Sequence, residues 1–381
     1  MNRKILIVGM ADSIHLARWL EQFRDSGFEF KIISSSPHRK VHEKIRQLIS
    51  ESGNPDQSHY SMPWISRHLS LPMWILDRFL GDSIRGLLIL QVARQFMPNF
   101  IHVNELQNAG YATLKAYKLA RGGYFPKVFS TNYGSELVWF RKYPSHAKRL
   151  KQLLEISDSF SAECQRDFGL ARELGFGGLN MPLMPVAGGG RFTAPGDAPR
   201  TTIAIKGYQN HWGRALTVLD VIEAEAEHLR GFKIEVFSCN KSVVRRVKAI
   251  QKRSTLEIAY HKKGSLTHQQ MMELFSRSLA YVGFSMSDGI STSMIEAMAN
   301  GAIPIQTCTS CADEWVERGK SGFILGPEDR HGLADAITAI VRGSFNVEYA
   351  RQLNYEVVSR QYDPDNLKAI AQEQYTKMLA L

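Results

Sequence analysis

The sequence predicts an α/β protein of two doubly wound, Rossmann-like domains that face a central cleft. Short apolar runs ending in glycine or small polar residues alternate with helical periods, which is the order of a parallel sheet with crossover helices. A glycine- and proline-rich stretch at 187–199 separates two such series. The length of 381 residues also suits two domains.

The first series begins with a buried strand at Arg3–Gly9, an apolar run closed by a glycine. A helical period of apolar residues then runs from Ile14 to Arg24, and Gly27 stops it. The same reasoning predicts further strands at Phe28–Ser34, 99–103 and 126–130. We assign residues 1–190 to this first domain.

The second series follows the linker and repeats the alternation. Its predicted strands are 202–205, 233–238, 254–260, 279–284 and 302–307, and its predicted helices are 215–229, 269–276 and 293–299. We assign residues 200–360 to a second domain and expect residues 361–381 to form a helix that packs back on the first. Ligands of open α/β sheets bind at the carboxyl ends of the strands, so we expect the site there.

Composition excludes several classes of protein. Hydrophobic residues make up 44% of the chain and charged residues 22%, which is typical of a folded globular protein. No run approaches the ~18 apolar residues of a membrane span, and the N-terminus lacks a signal-peptide pattern. The four cysteines (Cys164, Cys239, Cys308 and Cys311) lack the spacing of a structural zinc site. We therefore expect a cytoplasmic protein with reduced thiols.

The positive charge is concentrated in the first half. The net charge is +10, and residues 1–190 contribute 24 basic against 16 acidic side chains. Such a surface suits an anionic partner, but no nucleic-acid-binding signature accompanies it. The stretch 60–98 interleaves aromatic and aliphatic residues with arginines. It therefore suits either peripheral contact with an anionic membrane or an ordinary domain core with a solvated rim.

The densest chemical signal is the segment 287–305. It contains an acidic turn at Asp288, a polar loop, one helix and a buried strand. Ser293 and Glu296 have the spacing of a capping box, and the amides of 291–294 at the helix start form an anion site. Asp288 beside a phosphate site is placed to hold sugar hydroxyls. A structural capped helix is the alternative interpretation.

This segment resembles the acidic-x7-Glu signature of retaining glycosyltransferases of the GT-B fold, in particular glycosyltransferase family 4. Asp288 takes the first acidic position, where the family has Glu, and Glu296 takes the second, followed by Ala-Met-Ala-x-Gly-x-Pro. Residues 314–316, 319–325 and 27–30 also resemble family segments. The resemblance covers most of the chain from Ile5 to Ile340.

The resemblance implies roles for residues of the second domain. Lys206 and Arg214 would clamp the donor diphosphate, since fixed cations stabilise the departing phosphate. Together with Asp288 they are the expected catalytic residues. Glu296 would bind the ribose of the nucleotide rather than serve the capping box. The remaining expected donor-binding residues are Gly289, Ser291, Thr292 and Ser293.

In the first domain the family often has His-Gly-x-Asp where this chain has Tyr133-Gly134-Ser135-Glu136. A phenol at Tyr133 could donate a hydrogen bond similar to that of the imidazole. The loop after the first strand supplies Gly9, Ser13 and His15 as further acceptor or cleft residues, with a plain helix-surface position as the alternative for His15. His102 lies inside a predicted strand and is interpreted as a core residue.

The resemblance implies an enzyme, a metal-independent retaining hexosyltransferase that needs no cofactor. Its donor would be a nucleotide diphosphate sugar, UDP-sugar before GDP-sugar, and its acceptor a saccharide or lipid-linked saccharide at the inner face of the plasma membrane. Bacterial surface polysaccharide biosynthesis is the expected setting. Asp363-Pro364-Asp365 matches a metal-binding Asp-x-Asp but is better explained as a helix start. Two alternatives remain open, a nucleotide-sugar epimerase and a catalytically silent binding partner.

Overall fold

The structure is a computed structural model that describes residues 3–52, 57–63, 67–185, 188–196 and 198–381. The chain forms two compact units. The N-terminal unit contains Met1–Gly189 together with the C-terminal segment Pro364–Leu381, and the C-terminal unit contains Gly190–Asp363. Residues 187 and 197 of the expected linker lie outside the described part, as do 64–66 of the stretch 60–98.

The N-terminal unit is built on a seven-stranded sheet of parallel strands in the order β3-β2-β1-β4-β5-β6-β7. The winding reverses between the neighbouring strands β1 and β4, as in doubly wound α/β folds. The strands are β1 (Arg3–Gly9), β2 (Phe28–Ser34), β3 (His59–Ser61), β4 (Phe100–Asn104), β5 (Lys127–Asn132), β6 (Ser159–Ala162) and β7 (Leu179–Asn180).

Helices connect these strands. They are α1 (Ile14–Glu21), α2 (Glu43–Ser50), α3 (Arg67–Phe79), α4 (Ser83–Phe96), α5 (Asn108–Ala120), α6 (Ser135–Val138), α7 (Pro144–Glu155), α8 (Gln165–Glu173) and the C-terminal α15 (Pro364–Ala380).

The last helix is fixed to the sheet of the N-terminal unit by a buried hydrogen-bond chain. The Tyr375 hydroxyl accepts from Trp19 Nε1 at 3.0 Å and lies 2.9 Å from His102 Nδ1. The other ring nitrogen of His102 lies 2.8 Å from Thr131 Oγ1. Burial lowers the pKa of His102 to about 3, so its imidazole is neutral. The interpretation of His102 as a core residue is confirmed.

The C-terminal unit repeats the plan with a six-stranded parallel sheet in the order β10-β9-β8-β11-β12-β13. Its strands are β8 (Thr202–Lys206), β9 (Lys233–Cys239), β10 (Glu257–Lys262), β11 (Ser278–Gly283), β12 (Ile303–Thr307) and β13 (Phe323–Leu325). Its helices are α9 (Ala215–Ala224), α10 (Lys241–Arg253), α11 (His268–Ser276), α12 (Thr292–Ala299), α13 (Arg330–Val341) and α14 (Val347–Gln361).

Some predicted boundaries are wrong for identifiable reasons. The helix predicted at 215–229 ends at Ala224, because residues 225–232 continue as tight turns such as His228 N–H to Glu225 O at 2.9 Å. The strand predicted from 254 begins at Glu257, because Ser254 is the C-cap of α10 and its hydroxyl accepts from Leu256 N–H. The helix predicted from Ile14 through Arg24 ends at Glu21, and its last apolar residue, Phe23, lies in a turn.

Each unit has its own apolar core. Ile203, Ile205 and Val236 of the C-terminal sheet are fully buried, as are Leu6, Val8 and Val103 of the N-terminal sheet. Among the described residues, no helix combines the length and apolar character needed to cross a bilayer. All four cysteines are free thiols, with Cys308 exposed and Cys311 buried.

Candidate active site

The candidate site lies at the carboxyl edge of the C-terminal sheet, where the loops after β8 and β11 join. Gly213 pairs with Ser285 in an isolated bridge, and Met286 N–H donates to Trp212 O at 2.7 Å. Arg214 N–H donates to Phe284 O at 3.0 Å. Because the two strands are neighbours, residues far apart in sequence meet at one edge of the sheet.

Lys206, the last residue of β8, is the centre of this edge. Its Nζ lies 3.5 Å from Asp288 Oδ2 and donates to Ser291 Oγ at 3.2 Å. Burial alone would lower the pKa of Lys206, but the Asp288 carboxylate and the nearby phenols of Tyr281 and Tyr208 outweigh it and raise the pKa. The ammonium is therefore a fixed positive charge, with 18% of its side chain exposed.

Asp288 is held on both oxygens. Oδ2 faces the Lys206 ammonium, and Oδ1 accepts from Gly289 N–H at 3.1 Å. The Asp288 N–H in turn donates to Thr309 O at 3.3 Å, which connects the loop to the segment after β12. One third of the side chain is exposed (33%), so the carboxylate can still meet a ligand. The structure therefore brings together two of the three residues expected to be catalytic.

Arg214 lies at the other end of the same loop. Its Nη1 donates to the carbonyls of Gly213 at 3.2 Å and His211 at 3.3 Å, and its Nε lies 3.6 Å from Glu328 Oε1. The guanidinium thus supports the loop after β8 and has a carboxylate partner of its own. A joint clamp by Lys206 and Arg214 remains a prediction, since these contacts are separate.

Ser293 and Glu296 have the spacing of a capping box but do not form one. The N-cap of α12 is Ser291, and its side chain makes no capping hydrogen bond. The Ser293 hydroxyl lies 3.0 Å from the Tyr281 hydroxyl and 3.2 Å from Ser291 Oγ. The β11 tyrosine thus takes the hydroxyl that the sequence assigned to the cap.

The Glu296 carboxylate is directed sideways from α12. Its Oε1 lies 3.1 Å from His268 Nε2 on α11, and only 12% of the side chain is exposed. The expected anion site is also shorter than residues 291–294, because Met294 N–H already donates to Ser291 O at 2.9 Å. The amides that precede it, at Thr292 and Ser293, remain at the free start of the helix with Gly289 in the loop before them.

Sequence reasoning missed Tyr281, His268 and the glycines of the edge. A Cβ at Gly207 would lie 2.6 Å from Phe237 O, and one at Gly213 would collide with the Tyr208 carbonyl. Both glycines therefore let the loop after β8 fold tightly against its neighbours. The sequence contains Gly207 and Gly213, but it does not show which backbone segments pack against them.

The N-terminal sheet has a separate polar edge that gathers the other predicted residues. Ser13 is the N-cap of α1, and its hydroxyl accepts from His15 N–H at 3.1 Å. The rings of His15 and Tyr133 lie 5.7 Å apart. The Tyr133 hydroxyl donates to Asn104 Oδ1 at 2.8 Å, and burial raises its pKa, so it stays protonated. Gly9 lies at the end of β1, where an added Cβ would be 3.0 Å from Asn104 Cβ.

A buried carboxylate that the sequence did not single out organises this edge. Glu136 Oε1 accepts from Leu106 N–H at 2.7 Å and Gln107 N–H at 3.1 Å, and Oε2 accepts from Tyr133 N–H at 3.0 Å. Burial and then the charge of Glu105 raise the pKa of Glu136 to about 8, and burial also raises the pKa of Glu105. Glu136 thus joins the loops after β4 and β5.

The Asp363-Pro364-Asp365 pattern lies at a helix start. Pro364 begins α15, and Asp365 is in its first turn. An acidic residue at that place is favoured by the helix dipole. The expectation that it binds no metal stays a prediction.

Comparison with known proteins identifies the fold. Residues 241–357 match the family model described as glycosyl transferases group 1, a span that contains Asp288 and Glu296 but not Lys206 or Arg214. No curated protein matches the chain in sequence. The residues that match the family model cover most of the C-terminal unit, from α10 into α14.

Solved structures extend the comparison to the whole chain. Anabaena Alr3699/HepE in complex with UDP-glucose aligns with a TM-score of 0.70 at 13% identity, over 98% of this chain and 99% of that one. The lipopolysaccharide outer core galactosyltransferase WaaB gives 0.70 at 14%, over 98% and 99%. The trehalose-6-phosphate synthase OtsA gives 0.70 at 10%, over 100% and 99%. The predicted fold is confirmed: two Rossmann-like parallel-sheet domains of the GT-B glycosyltransferase type.

Proposed function

We propose that the protein is a retaining glycosyltransferase of family 4 that moves a sugar from a nucleotide diphosphate sugar to an acceptor hydroxyl. The observation that carries the proposal is the position of Lys206, with its ammonium between the Asp288 carboxylate and the Ser291 hydroxyl at the start of α12. The match of residues 241–357 to glycosyl transferases group 1 and the UDP-glucose bound to the HepE structure support it.

The donor diphosphate would bind at the start of α12. The Lys206 ammonium and the amides of Thr292 and Ser293 attract an anion there. Without ligand, Asp288 balances the charge of Lys206 at 3.5 Å. A diphosphate carries more charge than one carboxylate, so it would compete for the ammonium and leave Asp288 to accept hydrogen bonds from the sugar hydroxyls.

The nucleoside would lie beside Glu296. A carboxylate can accept hydrogen bonds from both ribose hydroxyls, and Glu296 is not engaged in a cap. The Glu296 carboxylate contacts His268 in this structure, and the ribose would replace that contact. We favour UDP-sugars over GDP-sugars, as in the UDP and UDP-glucose complexes of HepE.

Retention would follow a front-face path without an enzymic nucleophile. The bond between the anomeric carbon and the phosphate oxygen breaks, and the bond to the acceptor oxygen forms on the same face of the sugar. The acceptor proton passes to the departing phosphate. The electron pair of the broken bond stays on that phosphate, whose charge Lys206 and the α12 amides stabilise. Arg214 would join them once it leaves Glu328. No metal or cofactor is needed in this scheme.

The acceptor would be recognised by the N-terminal unit. His15 and Tyr133 place an imidazole and a protonated phenol at the carboxyl edge of its sheet, where the phenol donates to the buried Asn104. These groups suit the hydroxyls of a saccharide or a lipid-linked saccharide. The likeness to a lipopolysaccharide outer core galactosyltransferase supports a role in bacterial surface polysaccharide synthesis, which we place in the cytoplasm.

A transfer assay tests this proposal. The protein would be incubated with UDP-glucose or UDP-galactose, with octyl glucoside as the acceptor and without it, and UDP release and the product's anomeric configuration would be measured by NMR. Acceptor-dependent release with a retained configuration is expected. Interconversion of the two donors without acceptor would instead establish an epimerase, and donor binding without turnover of any kind would establish a silent partner.

A further inference from the structure

Helix α3 of the N-terminal unit has its polar side buried and its apolar side exposed. Ser70 and Asp77, two turns apart, are only 3% and 1% exposed. The outward positions are apolar, and Phe79 is 85% exposed. The other exposed apolar side chains of this surface are Leu69, Leu71, Met73, Ile75, Leu76 and Leu80.

Hydrogen bonds to α4 hold the helix in this orientation. Asp77 Oδ1 accepts from Ile84 N–H at 2.6 Å, and Asp77 Oδ2 accepts from Arg85 Nε at 2.5 Å. Arg85 also pairs with Asp82, which is the N-cap of α4. Rotation of α3 to bury its leucines would expose this network and break it, so the outward apolar side is built into the unit.

A surface helix ordinarily turns its apolar stripe to the core and its charges to water. The reverse arrangement indicates that the surroundings of α3 are apolar. We infer that α3 lies in the interface of an anionic phospholipid bilayer and docks the N-terminal unit there. The surface formed by Leu69, Leu71, Met73, Ile75, Leu76, Phe79 and Leu80 is called the α3 surface below.

The shape of the α3 surface favours a bilayer over a protein groove. Along residues 69–79, exposed residues surround the helix on every side except the line of Ser70, Trp74 and Asp77. A groove of a partner protein takes one stripe of a helix, whereas a lipid interface surrounds it. With 13 residues the helix is roughly 20 Å long, too short to cross the hydrocarbon core but suited to lie in the headgroup region.

The charge around α3 fits an anionic lipid. Asp77 is buried and paired, and Arg78 is the exposed charged residue next to it. Arg78 Nη1 donates to the neutral side chain of Asn108 on α5. The first 190 residues also carry 24 basic against 16 acidic side chains. Anionic headgroups attract such groups.

Vesicle binding of the full chain tests the inference. The protein would be sedimented with vesicles of 70% phosphatidylcholine and 30% phosphatidylglycerol, and with pure phosphatidylcholine. The double variant Leu76→Ser/Phe79→Ser should bind the anionic vesicles roughly 100-fold more weakly, because two large apolar side chains no longer enter the interface. Arg78→Ala should lose about fivefold on anionic vesicles and keep its binding to pure phosphatidylcholine.

The matched control is Leu179→Ser/Leu381→Ser, which removes two exposed leucines of the same unit away from α3. It should bind vesicles as the wild type does, and thermal unfolding should show that both double variants are folded. Wild-type protein that sediments with neither vesicle, or equal binding by both double variants, overturns the inference. A dimer in solution that only Leu76→Ser/Phe79→Ser dissociates would overturn it in favour of contact between copies. UDP binding, measured separately, does not depend on this outcome.

Discussion

The two sheets share a strand topology, but the ionisable side chains at their carboxyl edges serve different purposes. At the C-terminal unit, Lys206 and Asp288 are charged, partly exposed and paired with each other at 3.5 Å. At the N-terminal unit, Glu136 is buried and already accepts three backbone N–H groups. The first edge keeps charge available for a ligand, whereas the second uses a buried carboxyl group to hold its own loops. Variants at the first edge should therefore affect ligands, and variants at the second should affect stability.

The largest expected effect is that of Lys206→Ala. Removal of the fixed cation from the departing phosphate should lower kcat/KM for a UDP-sugar by about 10²–10³-fold. The free energy of unfolding should change by no more than about 1 kcal/mol, because the ion pair with Asp288 is partly exposed. Steady-state kinetics and urea unfolding measure the two quantities.

The matched control for that variant is Lys263→Ala. Lys263 is exposed and lies 5.8 Å from the same Tyr208 ring that Lys206 approaches at 5.1 Å. It should keep wild-type kinetics. An equal loss in both variants would mean that general positive charge, rather than the position of Lys206, matters.

Glu296→Ala should have the next largest effect. Loss of a charged acceptor for two ribose hydroxyls should weaken UDP binding by about 10–100-fold, measured by calorimetry. Glu273→Ala removes an exposed carboxylate from the neighbouring helix α11 and is the control. Unchanged UDP affinity in Glu296→Ala would show that Glu296 contacts His268 but does not bind the ribose.

At the N-terminal unit, Tyr375→Phe should reduce stability without affecting nucleotide binding. The change leaves Trp19 Nε1 and His102 Nδ1 without their buried partner, so a loss of about 1–3 kcal/mol is expected in urea unfolding. Tyr117→Phe, at an exposed tyrosine of the same unit, should have no effect. A neutral Tyr375→Phe would mean that the hydroxyl does not hold α15 in place.

The last prediction is a slope of stability with pH, which is spread over several pH units. The pKa of Glu136 is raised from 4.5 to about 8, so the folded state binds a proton that the unfolded state has lost between these values. Stability should therefore fall as pH rises from about 4.5 to 8, by up to ~1.4 kcal/mol per pH unit. Glu136→Gln should remove that contribution, and Glu155→Gln, at an exposed carboxylate, should keep it. Parallel pH profiles of wild type and Glu136→Gln would contradict the assignment.

The two edges also differ in how far the sequence predicted them. The segment 287–305 contains its acidic turn, loop and helix in one continuous stretch, so Asp288 and the start of α12 could be located. The capping-box spacing of Ser293 and Glu296 does not form a box, because Ser291 is the N-cap and the Ser293 hydroxyl contacts Tyr281 of the preceding strand. A pattern within one helix cannot show a side chain that arrives from another element.

The N-terminal edge depends on contacts between distant segments. Glu136 meets Leu106 and Gln107 thirty residues away, and Tyr375 reaches His102 across most of the chain. Neither contact produces a pattern within one short segment of the sequence. In α3 the mixture of apolar residues and arginine was visible, but only the contact of Asp77 with Arg85 decides which side faces outward.

The most direct test of the account is thermal unfolding with UDP, GDP, ADP and their sugar conjugates, on wild type and Lys206→Ala. A ligand at about 100 times its Kd adds roughly 2.7 kcal/mol and should raise the Tm by several degrees. This shift is expected for wild type with uridine nucleotides, and its loss is expected in Lys206→Ala at the same concentration. No shift with any nucleotide, or an equal shift in both proteins, would contradict it.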